Sequence, residues 1–195
     1  MTRCAVSCTF TRANQHICRC NHISRPMRAL VVIDYQNDYV VGPLSTRFTQ
    51  MIEGNICQRI EETLKAGGDV YFVMDMFNED YLQTPEGKRN PIKHCIRGTA
   101  GQELFGKMNN YVSKAKILRK DTPGCEELFG RLRHYGEIEL CGVETDKDII
   151  ANAIIARSSN PNARIIVRQN CVASRDSLMA DEASDIMRGL GIEVM

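Results

Sequence analysis

Six short apolar runs, each followed by polar residues or a segment of helical pattern, constrain this chain most. They read RALVVID (28–34), DVYFVMD (69–75), AKILRK (115–120), EIELCGV (137–143), ARIIVRQ (163–169) and IEVM (192–195). Continuous rather than alternating apolarity predicts strands buried on both faces, as in parallel sheets. Between the first two, residues 49–68 place Met51, Ile52, Ile56, Ile60 and Leu64 on one face and stop at Gly67-Gly68, the pattern of a helix with a glycine C-cap. Further helices are expected over 101–112, 125–136, 145–159 and 176–191. Crossovers between parallel strands are nearly always right-handed. The expected fold is therefore α/β, a twisted parallel sheet with helices on both faces.

A chain of 195 residues suffices for one domain with a substantial core. A net charge of +1 argues against a nucleic-acid partner, and no apolar run reaches the length of a membrane span. The nine cysteines lack the regular spacing of a disulfide framework. Reduced thiols in a cytoplasmic protein are the expectation. Residues 1–26 differ from the rest. They hold Cys4, Cys8, Cys18 and Cys20, His16 and His22, four arginines and no acid. A basic, acid-free start fits an organellar transit segment, and the alternating His16, Cys18, Cys20 and His22 fit a metal knot of unusual spacing. The preferred reading is a leader, disordered or absent from the mature chain, with the domain spanning 27–195.

Ligands of open α/β sheets bind beyond the carboxyl ends of the strands. There stand Asp34, Asp75, Lys120 and the turn Gly142–Asp148. Each has a plain alternative as a turn-forming or surface residue. Brought together, Asp34 and Lys120 make an ion pair able to hold or move a proton. No glycine-rich phosphate fingerprint follows the first strand, which disfavours a nucleotide-binding domain. The polar stretch 76–100 is too long for an ordinary connection, a length that often marks function.

These residues resemble a family. ALVVIDYQNDYVVGPL, PIKHCIRGTAGQEL, ILRKDTPG, ELCGVETDKDIIANAI and NCVASRDSLMADEASDIMRGLGIEV look, in this order, like the isochorismatase-like hydrolases, the superfamily of nicotinamidases and related cysteine hydrolases. The resemblance covers 27–195. It implies a three-layer α/β/α sandwich around a six-stranded parallel sheet, a small-molecule ligand, and assembly as a homo-dimer or tetramer. By resemblance Asp34 matches the family's catalytic acid and Lys120 its lysine. Val143-Glu144 matches a non-proline cis peptide, and the amides of Glu144 and Asp148 match the oxyanion donors.

Two departures stand in that pattern. Asp148 occupies the position of the cysteine nucleophile, and Phe77 replaces one histidine of a divalent zinc or iron site whose other ligands match Asp75 and His94. Asp148 has two readings. It is either a carboxylate sharing a proton with Asp34 for hydrolysis by water, or the acid of a capping box begun by Thr145. The chain is correspondingly read as a divergent hydrolase with Asp34, Lys120 and Asp148 at its centre. The alternative is a pseudoenzyme that binds a ligand or forms oligomers.

Overall fold

A computed structural model describes residues 27–195, so the expectations placed on 1–26 lie outside the described residues. The elements are β1 (Arg28–Ile33), α1 (Asn37–Val40), α2 (Arg47–Met51), α3 (Glu53–Lys65), β2 (Asp69–Asp75), α4 (Pro85–Arg89), β3 (Ala115–Lys120), α5 (Glu126–Arg131), β4 (Glu137–Val143), α6 (Ile150–Ser159), β5 (Arg164–Ala173), α7 (Ser177–Gly189) and β6 (Glu193–Val194). Six strands form one sheet in the order β3-β2-β1-β4-β5-β6, and every pairing is parallel. The fold is the expected α/β sandwich. No helix among the described residues is long and apolar enough to cross a membrane.

The side-chain period of two sorts β1 between two cores. Leu30 and Val32 pack with Ile56 and Ile60 of α3 on one face. Ala29, Val31 and Ile33 pack with Leu128 of α5, Ala153 and Ala156 of α6 and Met187 of α7 on the other. Leu30, Val31 and Ile33 are fully buried. Each apolar side chain of this kind contributes about 1.5–3 kcal/mol on leaving water. The chain order reverses between β1 and β4, which opens a crevice at their carboxyl ends.

Four local expectations change. The helix expected over 49–68 is two pieces meeting at Ile52. The first piece is fixed by a capping box between Thr46 and Thr49 and buries Thr49, leaving Met51 73% exposed instead of on the apolar face. The glycine end does form: Gly67 has φ +76°, its N–H donates to Leu64 O, and the Gly68 N–H donates to Thr63 O. The helix expected over 101–112 is replaced by two 3₁₀ segments, Ala100–Gln102 and Gly106–Lys114, separated by extended backbone. β5 runs on to Ala173, with its register against β4 shifting between Leu140 and Gly142. The helix after β4 begins with a π-helical turn, Thr145–Ile149, where the Ile149 N–H donates to Glu144 O at 3.0 Å.

Gly142 lets β4 close onto β1 beneath that turn. Its φ is +115°, and a Cβ there would stand 2.0 Å from Ile33 O. Gly142→Ala should cost about 3 kcal/mol or more, since backbone strain and a clash with main chain act together. Gly130, in α5 with open space around it, is the control: Gly130→Ala should stabilise by about 0.5–1 kcal/mol. Urea unfolding midpoints of the two variants check the contrast.

Candidate active site

The strand-end residues meet around one ammonium. Lys120, closing β3, donates from Nζ to Asp75 Oδ1 (2.6 Å) at the end of β2 and to Asp148 Oδ1 (2.8 Å) in the turn after β4. The same Nζ lies 2.7 Å from Asp34 Oδ2, just past β1. All four side chains are buried. The strands deliver them because β3, β2, β1 and β4 lie side by side with their ends in register.

Asp34 is held from two sides. Its backbone takes a left-handed φ of 49°, which aspartate tolerates better than most residues. Its Oδ1 accepts the Asp75 N–H at 2.9 Å. Its Oδ2, although close to Lys120, makes no hydrogen bond of good geometry. Gln36 braces the same point, accepting the Asp75 N–H at 2.8 Å and donating to Asp75 O at 2.9 Å.

Three carboxylates around one ammonium leave excess negative charge in a dry place. Burial pushes the Asp34 carboxyl well up, and Asp75 adds to the rise against the pull of Lys120. Burial also raises Asp148, opposed by Lys120. Asp75 goes the other way: burial would raise it, but Lys120, then the neighbouring His94 and the Tyr39 hydroxyl, hold it below the usual range. Burial alone would strip Lys120 of its proton, yet Asp148, Asp34 and Asp75 together hold its titration well above the ordinary lysine value. The site thus favours the ionised form of Asp75 and the charged form of Lys120, and it disfavours full ionisation of the Asp34–Asp148 pair.

A cavity of about 320 Å³ opens over this cluster, lined in part by Tyr39, Asp75, Phe77, His94, Glu144, Lys147 and Asp148. Asp148 and Asp75 face it, with Lys120 and Asp34 behind them. The Val143-Glu144 peptide is cis. The Glu144 N–H points at Asp148 Oδ2 over 3.4 Å, a long contact. The Glu144 carboxylate is buried, and burial would raise its pKa. Arg175 (Nε to Oε1, 2.5 Å) and Lys147 (Nζ to Oε2, 2.8 Å) hold it below the usual range instead.

The capping box expected from Thr145 and Asp148 does not form. The N-cap is Glu144, with no side-chain cap, and the Asp148 carboxylate turns to Lys120. A cap contributes about 1 kcal/mol, whereas a buried charge left unpaired costs about 3–5 kcal/mol, so the ion pair wins. Among the described residues no cysteine stands in at this site. The five described cysteines are free and buried. Cys95, which feels Asp75 and Asp34, has its thiol pushed strongly up by burial and by those charges.

The donors present do not fit a zinc or iron ion. Both Asp75 oxygens are engaged, Oδ1 by Lys120 and Oδ2 by the Tyr39 hydroxyl at 2.7 Å. His94 Nε2 stands 3.7 Å from Asp75 Oδ2, beyond hydrogen-bond reach, and Phe77 presents a ring that packs on His94 at 5.0 Å between centroids. The oxygens of Asp34, Asp75 and Asp148 do lie within 4.8 Å of one another, but the cation among them is Lys120. Asp34, Asp75, Lys120, Val143, Glu144, Asp148 and His94 therefore gather as one site. Tyr39, Gln36 and Arg175 join them without having been anticipated. DYQND signals Gln36 only as a polar residue after a strand, and nothing local marks Arg175.

Comparison with known proteins places this geometry in context. Residues 28–195 match the model of the isochorismatase domain. An uncharacterized isochorismatase family protein of Bacillus subtilis is 33% identical over 161 residues, covering 75% of this chain and 86% of its own. The nicotinamidase/pyrazinamidase of Mycobacterium tuberculosis is 23% identical over 190 residues, covering 87% and 98%. The crystal structure of a B. subtilis nicotinamidase superposes with a TM-score of 0.73 at 27% identity, over 86% of this chain and 98% of the other. An N-carbamoylsarcosine amidase of Thermoplasma acidophilum gives 0.71 at 26%, over 86% and 95%.

The charge arrangement has a definite pH signature. Asp34 and Asp148 hold protons in the fold where the unfolded chain has released them. Their contribution is greatest at low pH and weakens as pH rises from about 3.8 through their raised titrations. Asp75 contributes above the same 3.8 and is lost as pH falls below it. Urea unfolding from mildly acid to neutral pH should therefore show declining stability, and Asp34→Asn should flatten the decline. Lys120→Met, which leaves the carboxylates unpaired, should cost about 3–5 kcal/mol in the same assay at neutral pH.

Proposed function

The chain belongs to the isochorismatase family, and on that premise we propose that it hydrolyses a small molecule with water, rather than a cysteine thiolate, as the nucleophile. The observation that carries this reading is the Asp148 carboxylate. It faces the cavity while Lys120 holds it from behind, and Asp34, the more strongly raised acid, stores the proton beside it.

Asp148 in its ionised form takes a proton from a water molecule in the cavity. The water oxygen adds to the substrate carbonyl carbon. The proton then passes from Asp148 to the leaving nitrogen as the C–N bond breaks, and the carboxylate is restored. Asp34 and Lys120 fix the charge of Asp148 and do not themselves reach the cavity. The amidase names of the M. tuberculosis, B. subtilis and T. acidophilum relatives support an amide-type bond. Excess negative charge on the cavity floor favours an uncharged substrate over an anionic one.

A second reading, a ligand-binding member without turnover, has one observation in its favour. The Glu144 N–H that would receive an oxyanion is turned toward Asp148, and the Lys120 ammonium already faces three carboxylates. Ammonia release from a panel of uncharged carboxamides separates the two. Turnover that falls by about 10²–10⁴ in Asp148→Asn supports the hydrolase. No turnover until Asp148→Cys is combined with Phe77→His supports the second reading. Robust nicotinamide hydrolysis untouched by Asp148→Asn contradicts both.

A further inference from the structure

His94 is boxed in by aromatic rings and points one nitrogen at the cavity. Its ring sits 5.0 Å from Phe77, 5.1 Å from Tyr81 and 5.5 Å from Tyr39, each near edge-to-face. The side chain is 3% exposed. Its Nδ1 lies 2.7 Å from Ile92 O. A carbonyl oxygen can only accept, so Nδ1 carries the ring proton and Nε2 presents a lone pair. A proton on Nε2 would seek Asp75 Oδ2, but the two stand 3.7 Å apart and Oδ2 already accepts from Tyr39.

His94 and Asp75 thus line the cavity side by side, Asp75 Oδ2 accepts only from Tyr39, and among the described residues no protein donor reaches His94 Nε2. With Phe77 in the wall and both Asp75 oxygens engaged, the donor set does not fit a metal that would turn this pair into an electron-pair acceptor. We propose that His94 Nε2, flanked by Asp75, reads a hydrogen-bond donor on the ligand, a ring N–H, and that the site rejects ring atoms that can only accept. Phe77 and Tyr39 supply the flat apolar walls that such a ring needs. A site built around buried acceptors disfavours an isostere lacking the donor, because the acceptors then lose water without gaining a partner. The inference rests on reading this cavity as the ligand site, and it names the class of ligand.

A matched pair of uncharged probes tests it: pyrrole-3-carboxamide, with a ring N–H, and furan-3-carboxamide, with a ring oxygen in its place. Calorimetric titration of the full chain should show the pyrrole binding about tenfold tighter. His94→Phe keeps a flat ring but removes the acceptor, and it should bring the two affinities together. Tyr39→Phe frees Asp75 Oδ2 and should preserve or widen the preference even if the His94 variant fails to fold. Equal binding, preference for the furan, binding of neither probe, or stoichiometric zinc or iron lost on His94→Phe each overturns the inference. The readout is binding alone. A protein that discriminates the probes but releases no ammonia counts against the hydrolase reading and not against this one.

Discussion

One buried ammonium ties together the business end of this sheet. Lys120 comes from β3, and its three carboxylate partners come from the ends of β2 and β1 and from the turn after β4. Four adjacent strands are thus pinned at their carboxyl ends by one charge. Removing charges from water is expensive, and close partners repay the cost only when charge is nearly balanced. One positive and three negative groups are not balanced. Retaining a proton on the Asp34–Asp148 pair is the least costly remedy, and the raised titrations of both acids express it.

The same balance links Asp148 and Phe77. Asp148 adds a carboxylate beside the Asp34–Lys120 pair, which sets the proton inventory of the site. Phe77 offers no lone pair and adds an aromatic wall. Asp75 then answers to Lys120 and Tyr39, and His94 is left with Nε2 facing the cavity.

Much of this was legible from sequence because the strands are continuous apolar runs that end in charge. Asp75 and Lys120 terminate their runs and Asp34 follows its own directly, so the strand-end rule brings them together before any contact is known. The turn after β4 was legible in place but not in detail. Thr145 and Asp148 carry a valid local capping signal, and a long-range partner, Lys120, outbids it. Gln36, Tyr39 and Arg175 join the site through contacts with residues 31–39 positions away, which no local pattern encodes. Met51 shows the opposite limit: its helical spacing is apolar, but a capping box turns its short helix so that it faces solvent.

Where the protons sit is read directly by carbon-13 NMR titration of the aspartate side chains, with each signal assigned by its Asn variant. Asp34 should titrate well above the ordinary carboxylate range, Asp148 should be raised as well, and Asp75 should titrate below it. Three aspartates titrating together near 3.8, as in an unfolded chain, would contradict this.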